Sequence, residues 1–318
     1  MSEIKLTTPI VFLIFNRPDI AGRVFAEIAR AKPPKLLVVC DGARANIVGE
    51  AEKVSATRAI IERVDWPCEV LTNFSDVNLG CRRRVSSGLD WAFEQVEEAI
   101  ILEDDCLPTP TFFRFCQELL ELYRTDMRVG MVSGNNFQFG RRYNNDSYYF
   151  SKHTHIWGWA TWGNRWREGY DDKMSQWPMI RDGGRLGDLI LDVNELSYWK
   201  KIFNRMYSGK DNSWAFPWTY SNWVQGWLTI LPSVNLVSNI GFISTATHST
   251  TTTKLSSMDV HDLSFPLTHP TFRMRNIEAD KTSFWVFRDS IFVRIIKKIR
   301  LYGLYLVNNF THKLYKKK

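Results

Sequence analysis

Short apolar runs alternate with helical spacings along roughly the first 125 residues. Pro9-Ile10-Val11-Phe12-Leu13-Ile14-Phe15 reads as a buried strand, because a short apolar run bounded by turn residues suits the interior of a parallel sheet. It closes on Asn16-Arg17-Pro18-Asp19, where Pro18 fits the first turn of a helix carrying Ile20, Val24 and Ile28 on one face. Leu36 to Cys40 predicts a second strand, ending at Asp41-Gly42. A helix is predicted near Val48 to Val64 and a short strand near Cys68 to Leu71. Asn78-Leu79-Gly80 opens a helix whose apolar face is Val85, Leu89, Ala92, Phe93 and Val96. A further strand, Ala99 to Leu102, precedes a helix capped by Thr109, with Pro110 at its first position and an end near Tyr123. Strands alternating with helices predict an α/β protein: a mostly parallel sheet flanked by helices, with right-handed crossovers.

The strand at Ala99 runs directly into Glu103-Asp104-Asp105. Three acids at a strand end repel unless a cation or hydrogen-bond donors hold them, and in open α/β sheets that end is where ligands bind. On an extended backbone Glu103 and Asp105 point to one side and Asp104 to the other. Oxygen-only ligation suits Mn²⁺ or Mg²⁺, which can bridge protein carboxylates and the oxygens of a substrate diphosphate. Arg17 and Asp41 close the other strands at the same sheet edge, and the run Arg82-Arg83-Arg84 lies just before the helix leading to the acids. A carboxylate by a base or ribose, arginines by phosphates and acids on a metal would together hold a nucleoside diphosphate. Asp41 capping its own turn, and the arginines forming a solvated helix face, are equally open readings.

From Val129 the character changes. Ser133 to His155 is polar and rich in Asn, Tyr and Gly, the composition of a long functional loop. Ten of the 13 tryptophans then fall between Trp157 and Trp227. Indole rings stack on sugar C–H faces and leave an N–H for a hydroxyl, so this density points to a carbohydrate acceptor region, although most single tryptophans belong to cores. Leu228 to Val237 predicts a strand pair around Pro232, and His248 stands alone after it.

Charge separates the body from its tail. Nine of the 41 basic residues and one of the 34 acidic ones lie between Arg288 and Lys318, so the remaining chain is almost neutral. A neutral body argues against nucleic-acid binding. Five cysteines with no Cys-x-x-Cys pair suggest reduced thiols and neither a zinc site nor a disulfide framework. No apolar run is long enough to span a bilayer, and no signal peptide is read at the N-terminus. In the tail, Ile291, Ile295, Ile299, Tyr302 and Leu306 fall near one helical face, with Arg294, Lys297, Lys298 and Arg300 between them. That composition predicts a basic amphipathic helix lying on an anionic membrane surface.

Taken in order over residues 9–250, these motifs resemble the GT-A nucleotide-sugar transferases, within them the N-acetylglucosaminyltransferases that initiate complex N-glycans, and bacterial sugar transferases of surface-polysaccharide synthesis. Asn16-Arg17-Pro18 is similar to a first loop whose Arg contacts the nucleotide, and Cys40-Asp41-Gly42 to a loop whose Asp binds uracil. Glu103-Asp104-Asp105 and Pro110-Thr111-Phe112-Phe113 resemble the acidic motif and the helix after it. The resemblance implies a metal on Asp105, donor sugar and ribose contacts from Glu103 and Asp104, and His248 near the donor. Where that family has a catalytic Asp in a Trp-Asp-Asp-Trp run, this chain has Trp214-Ala215-Phe216-Pro217-Trp218. The nearest acid is Asp211, with Asp171 and Asp172 as alternatives, and an acceptor hydroxyl needs such a base.

The sequence therefore predicts a GT-A domain over residues 1–255, with a donor half to about 132, and a C-terminal extension over 256–318. The function read from it is metal-dependent sugar transfer from a nucleotide-sugar, UDP-linked, to a glycan or lipid-linked acceptor, at the cytoplasmic face of the plasma membrane. Arg82 would assist at the phosphates, and Trp159 and Trp214 would line the acceptor. A non-catalytic nucleotide-sugar binding protein needs no base, and a nucleotidyltransferase shares a similar sheet but carries a Gly-rich phosphate loop that is absent here.

Overall fold

The computed structural model describes residues 5–241, 255 and 258–288. Its centre is an eight-stranded sheet. The N-terminal half supplies β1 (Ile10–Ile14), β2 (Lys35–Cys40), β3 (Glu69–Phe74) and β4 (Glu98–Glu103). These four lie parallel in the order β3-β2-β1-β4, with Ile10 opposite Leu36 on one side and Ile100 on the other. Between them run α1 (Pro18–Ala31), α2 (Glu50–Arg58) with a 3₁₀ turn over Ala59–Arg63, and α3 (Cys81–Gln95). After β4 come β5 (Cys106–Pro108) and α4 (Pro110–Tyr123).

The second half extends the same sheet. It adds β6 (Val129–Ser133), β7 (Tyr148–Ser151), β8 (Trp159–Trp162) and β9 (Leu228–Pro232), completing the order β4-β8-β6-β9-β7. Here β8 runs antiparallel to both β4 and β6, so the sheet is parallel in its first half and mixed in its second. Four residues separate β9 from β10 (Val237–Asn239), which pairs antiparallel with β5 in a separate two-stranded ribbon. Leu228 to Val237 is thus no hairpin: β9 is already hydrogen-bonded on both edges by β6 and β7. The polar stretch after β6 is also more structured than its composition suggests, with Asn135, Asn136, Phe137 and Gln138 all buried.

Alternation along each strand separates two layers. Ile10, Phe12, Ile14, Leu36, Val38, Ile100 and Leu102 face α1 and α4, where Val24, Phe25, Ile28, Phe112 and Leu119 meet them. Val11, Leu13, Leu37, Val39 and Ile101 face α3 and a wall of indoles: Trp159, Trp166, Trp214, Trp218 and Trp227. Burying each such aliphatic side chain contributes about 1.5–3 kcal/mol, so both layers stabilise the sheet between them. The indoles come from β8, α5 (Gly163–Gly169), and the segment leading through α9 (Ala215–Val224) into β9. A third, helical cluster joins α6 (Trp177–Asp182), α7 (Leu186–Leu189), α8 (Val193–Tyr207) and α9 around Trp177, Trp199, Phe203 and Trp223. Asp192 caps α8 through its side chain, accepting from the Asn194 and Glu195 N–H groups at 2.9 Å each.

Residues 277–288 are helical and pack back onto the body. Gln138 Nε2 donates to the Ala279 carbonyl and Ser283 Oγ, Ser151 Oγ donates to Asp280 Oδ1 at 2.6 Å, and Phe284 meets Tyr198 with ring centroids 5.6 Å apart. The predicted amphipathic helix beyond residue 288 and His248 lie outside the described residues.

Candidate active site

Three parallel strands deliver polar groups to one edge of the sheet, at their C-terminal ends. Behind them lies a cleft of about 590 Å³, a size that suits a nucleotide-scale ligand. Phe15, Asn16 and Arg17 line it from β1, Asp41 from β2, Glu103 and Asp104 from β4, and Gly80, Cys81 and Arg84 from the start of α3. A more open depression of about 540 Å³ at the opposite edge, against Pro9, Lys35, Glu69 and Glu98, holds none of the predicted site residues.

The acidic motif departs from the extended reading. β4 ends at Glu103, and residues 104–105 form a turn. That turn brings Asp104 and Asp105 onto one guanidinium. Arg17 Nη2 donates to Asp104 Oδ1, and Nη1 to Asp105 Oδ2 at 3.0 Å. Asp104 also accepts the Phe15 N–H at 3.2 Å. Burial pushes the Asp104 carboxyl up to about 6 against the pull of Arg17. Burial, with the Asp105 and Asp104 charges beside it, pushes Glu103 up to about 8. Among the described residues the Glu103 side chain has no hydrogen-bond or ion partner, although it lines the cleft. Gly241 closes the turn from outside: a Cβ there would stand 2.3 Å from Asp105 Oδ2 and 2.7 Å from Arg17 Nη1.

Asp41 is used differently from the role its motif implies. Its Oδ1 accepts the Gly42 and Leu79 N–H groups and its Oδ2 the Gly80 N–H, each at 2.9 Å. The carboxylate thereby pins the loop before α3 to the end of β2. Gly42 is required in this arrangement, since a Cβ would fall 2.5 Å from the Val77 backbone. Asn78 completes the pin by donating to the Gly42 carbonyl at 2.8 Å. Asp41 remains in the cleft wall, with its oxygens turned to the loop.

Other predicted residues stand elsewhere. Arg82 does not line the cleft and turns to Asp172, its Nε donating at 2.7 Å. Arg84, two residues on, is the buried arginine of the run and does line the cleft; its Nη2 donates to the Asn73 carbonyl and Oδ1, while its Nε has no partner. Asp211 is held in a two-point pair by Arg205, with Nε donating at 2.8 Å, and that hydrogen bond keeps its carboxyl below the ordinary range. It does not line the cleft; its neighbour Asn212 does. A base in this position would have to give up its arginine first. Asp171 caps a turn by accepting from Ser175 N–H and Oγ–H, and Asp172 is the partner of Arg82. Trp159 is 0 % exposed and Trp214 2 % exposed, so neither indole presents a face to a sugar.

Residues the sequence reading missed sit beside those it found. Arg44 lines the cleft and holds Glu50, whose other donor is Asn16 Nδ2 at 2.7 Å; the Arg44 hydrogen bond lowers Glu50 to about 2. No apolar spacing marks this pair, because both residues lie in a polar loop and the first turn of α2.

No three His, Cys, Asp or Glu side chains among the described residues form a ready-made metal cage. The acidic turn instead offers Asp105 Oδ2 and the unpartnered Glu103. That donor set fits an oxygen-seeking ion such as Mg²⁺ or Mn²⁺, which takes one or two carboxylates and fills its remaining positions from substrate phosphate and water.

Among solved structures, the chain is similar to the mannosyltransferase PcManGT from Pyrobaculum calidifontis in complex with GDP-Man and Mn²⁺, at 18% identity and TM-score 0.35 over 48% of this chain and 44% of that one. It is similar to a cytidylyltransferase from Leptospira borgpetersenii serovar Hardjo-bovis at 11% identity and TM-score 0.32, over 51% and 63% of the two chains. A third is the galactosyltransferase LgtC in complex with donor and acceptor sugar analogs, at 15% identity and TM-score 0.27, over 51% and 60%. The matched part is less than two thirds of each of those chains. No protein-family model and no curated protein matches the sequence.

Proposed function

We propose that the cleft binds a nucleoside diphosphate sugar and that the chain transfers the sugar to an acceptor hydroxyl, as a GT-A-type glycosyltransferase. One observation carries this reading: Arg17, Asp41, Glu103 and Asp104, drawn from three separate strand ends, line a single cleft with Asp105 bound to the same arginine. The acceptor oxygen forms its bond to the sugar C1, the C1–phosphate oxygen bond breaks, the hydroxyl proton leaves to a base, and the nucleoside diphosphate departs. Asp105, with Glu103 beside it, would hold a divalent ion, which when bound supplies positive charge for the departing diphosphate. Glu103 is positioned to accept hydrogen bonds from sugar hydroxyls. Arg17 and Arg84 add positive charge at the diphosphate. UDP is the first donor nucleotide to test, with a glycan or lipid-linked acceptor.

The test is a thermal-shift panel of UDP, GDP and CDP with and without Mn²⁺, followed by product release with acceptors. A ligand at 100 times its Kd stabilises by about 2.7 kcal/mol, which is readily seen. Metal-dependent stabilisation by a nucleoside diphosphate, lost in Asp105→Ala at unchanged intrinsic Tm, supports the reading. No stabilisation by any of the three overturns it, and pyrophosphate release in place of nucleoside diphosphate favours nucleotidyl transfer.

The same reading places the protein at a membrane surface where lipid-linked acceptors lie. No helix of the described residues is long and apolar enough to cross a membrane. The helical residues 277–288 end in half-buried Trp285, Val286 and Phe287, with Arg288 over the Trp285 ring at 4.1 Å, and the sequence then turns strongly basic. Because Phe284 is buried against Tyr198, the informative truncation ends after Arg288. The full chain should pellet with phosphatidylserine vesicles at low salt and the truncated chain should not; equal pelleting of both would reject the surface role of the tail.

A further inference from the structure

The two aspartates under Arg17 are held unequally. Asp104 is fixed: its side chain is 3 % exposed, Oδ1 accepts from the guanidinium and Oδ2 accepts the Phe15 N–H. Asp105 is more open, and among the described residues its other oxygen receives only the weak Cys106 Sγ–H at 3.5 Å. Arg17 itself is 36 % exposed and reaches both carboxylates from the loop before α1, so it is the most solvent-accessible member of the cluster. The oxygen it covers, Asp105 Oδ2, faces Gly241, where no side chain can stand. Any cation approaching Asp105 Oδ2 therefore meets a guanidinium already 3.0 Å from it. Like charges at that separation repel, and one of the two must leave.

We propose that Arg17 couples metal binding to nucleotide binding: it occupies Asp105 in the free protein, disfavours a divalent cation there, and transfers to the diphosphate when nucleotide enters. This rests on the reading that the cleft takes a nucleoside diphosphate and Asp105 a divalent ion. A guanidinium pairs with phosphate oxygens in two-point geometry as readily as with carboxylates, so the diphosphate gives the displaced arginine an equivalent partner. Without nucleotide the metal must displace Arg17 into water. With nucleotide, Nη1 exchanges Asp105 for a phosphate oxygen while Nη2 keeps Asp104, so neither the arginine nor the buried carboxylate loses its partner. The coupling is reciprocal, so metal tightens nucleotide by the factor by which nucleotide tightens metal.

Removing the arginine separates the effects, and calorimetric titration of Mn²⁺ into the full chain, with and without saturating UDP, measures them. In the wild type, UDP should tighten Mn²⁺ binding by about tenfold or more. In Arg17→Gln, Mn²⁺ alone should bind about tenfold tighter than in the wild type, and the UDP effect should shrink to less than about threefold. Arg17→Lys keeps the charge but cannot span two carboxylates, and should bind Mn²⁺ alone more tightly than the wild type and less tightly than Arg17→Gln. A merely structural role for Arg17 would weaken binding under every condition. Should Arg17→Gln fail to fold by circular dichroism, Arg17→Lys decides: tighter Mn²⁺ binding without UDP supports the coupling, and equal or weaker binding overturns it. If wild-type protein binds Mn²⁺ with UDP but no Arg17 variant alters Mn²⁺ binding alone, the coupling falls and the site reading stands. If the wild type binds no Mn²⁺ even with UDP, the metal reading falls and takes the coupling with it.

Discussion

Asn212 Oδ1 accepts the backbone N–H of Arg82 at 3.2 Å, across 130 positions of sequence. α3 begins at Gly80, which has no side chain to cap it, and Asn212 supplies that cap from the far half of the chain. Helix starts leave unpaired N–H groups and a partial positive charge. Asn212→Ala should therefore lower stability by about 0.5–2 kcal/mol in urea unfolding. Because Asn212 lines the cleft, the same variant should also change nucleotide affinity. Unchanged stability would mean that this hydrogen bond does not act as a cap.

Trp159 belongs to the core. It stacks on Trp214 with ring centroids 5.6 Å apart and planes 20° apart, and it touches Trp166 and Trp218. Trp159→Ala should cost about 3–5 kcal/mol through lost burial and the cavity left behind. A variant with unchanged Tm and a raised acceptor KM would restore the sugar-stacking role.

Asp211→Asn separates a base from a surface pair. With Arg205 and Asp211 both partly exposed, water screens the pair and its loss should leave the unfolding midpoint almost unchanged. The transfer rate should stay within about threefold of wild type, whereas loss of a general base would lower it about 10²–10⁴-fold. Steady-state rates at saturating donor decide between them.

Acid should unfold the protein through its buried histidines. Burial holds His155 neutral, lowering it from 6.5 to about 3, and lowers His153 as well, with Lys152 and His155 adding to the effect. In the unfolded chain both would titrate near their ordinary value. Their contribution is fully present above about pH 6.5 and is lost as pH falls, through about 3 for His155, at up to about 1.4 kcal/mol per pH unit for each histidine. Asp104 and Asp280, raised to about 6 by burial, act in the opposite sense: their contribution is complete at low pH and is lost as pH rises through about 6. Below about pH 4 the histidines are joined by Glu50, which the Arg44 hydrogen bond lowers to about 2 and whose contribution is lost as pH falls through that value. Urea unfolding of His155→Gln should show a shallower acid limb than the wild type, and an identical limb would remove His155 from this account.

What the sequence disclosed, and what it hid, follows from the range of each interaction. The runs at Ile10, Leu36 and Ala99 became parallel strands because local apolar patterning is enough to define a buried strand. Arg17 and the acids were legible together because sheet topology brings all strand ends to one edge. The turn at 104–105 was not, since nothing in three consecutive acids says where extension stops. The burial of Trp159 was not legible because a stacking indole and a core indole are the same residue; it is set by pairing with Ile101 on β4, 58 positions earlier in the sequence. The pairing of Asp211 with Arg205, six residues before it, was not legible either, because the chain brings them together only by reversing after α8 at Gly209, where φ is +70°.

The indole wall has an optical consequence. Trp159, Trp166, Trp214, Trp218 and Trp227 form a chain of contacts with centroids 5.2–6.3 Å apart. Rings this close exchange excitation, so their near-ultraviolet circular dichroism reports their mutual orientation as well as each ring. That signal collapses when fixed side-chain packing is lost, even if helices and strands persist. Trp214 lies two residues from Asn212. The protein thus carries a label-free gauge of whether the far half of the chain still sits over its cleft.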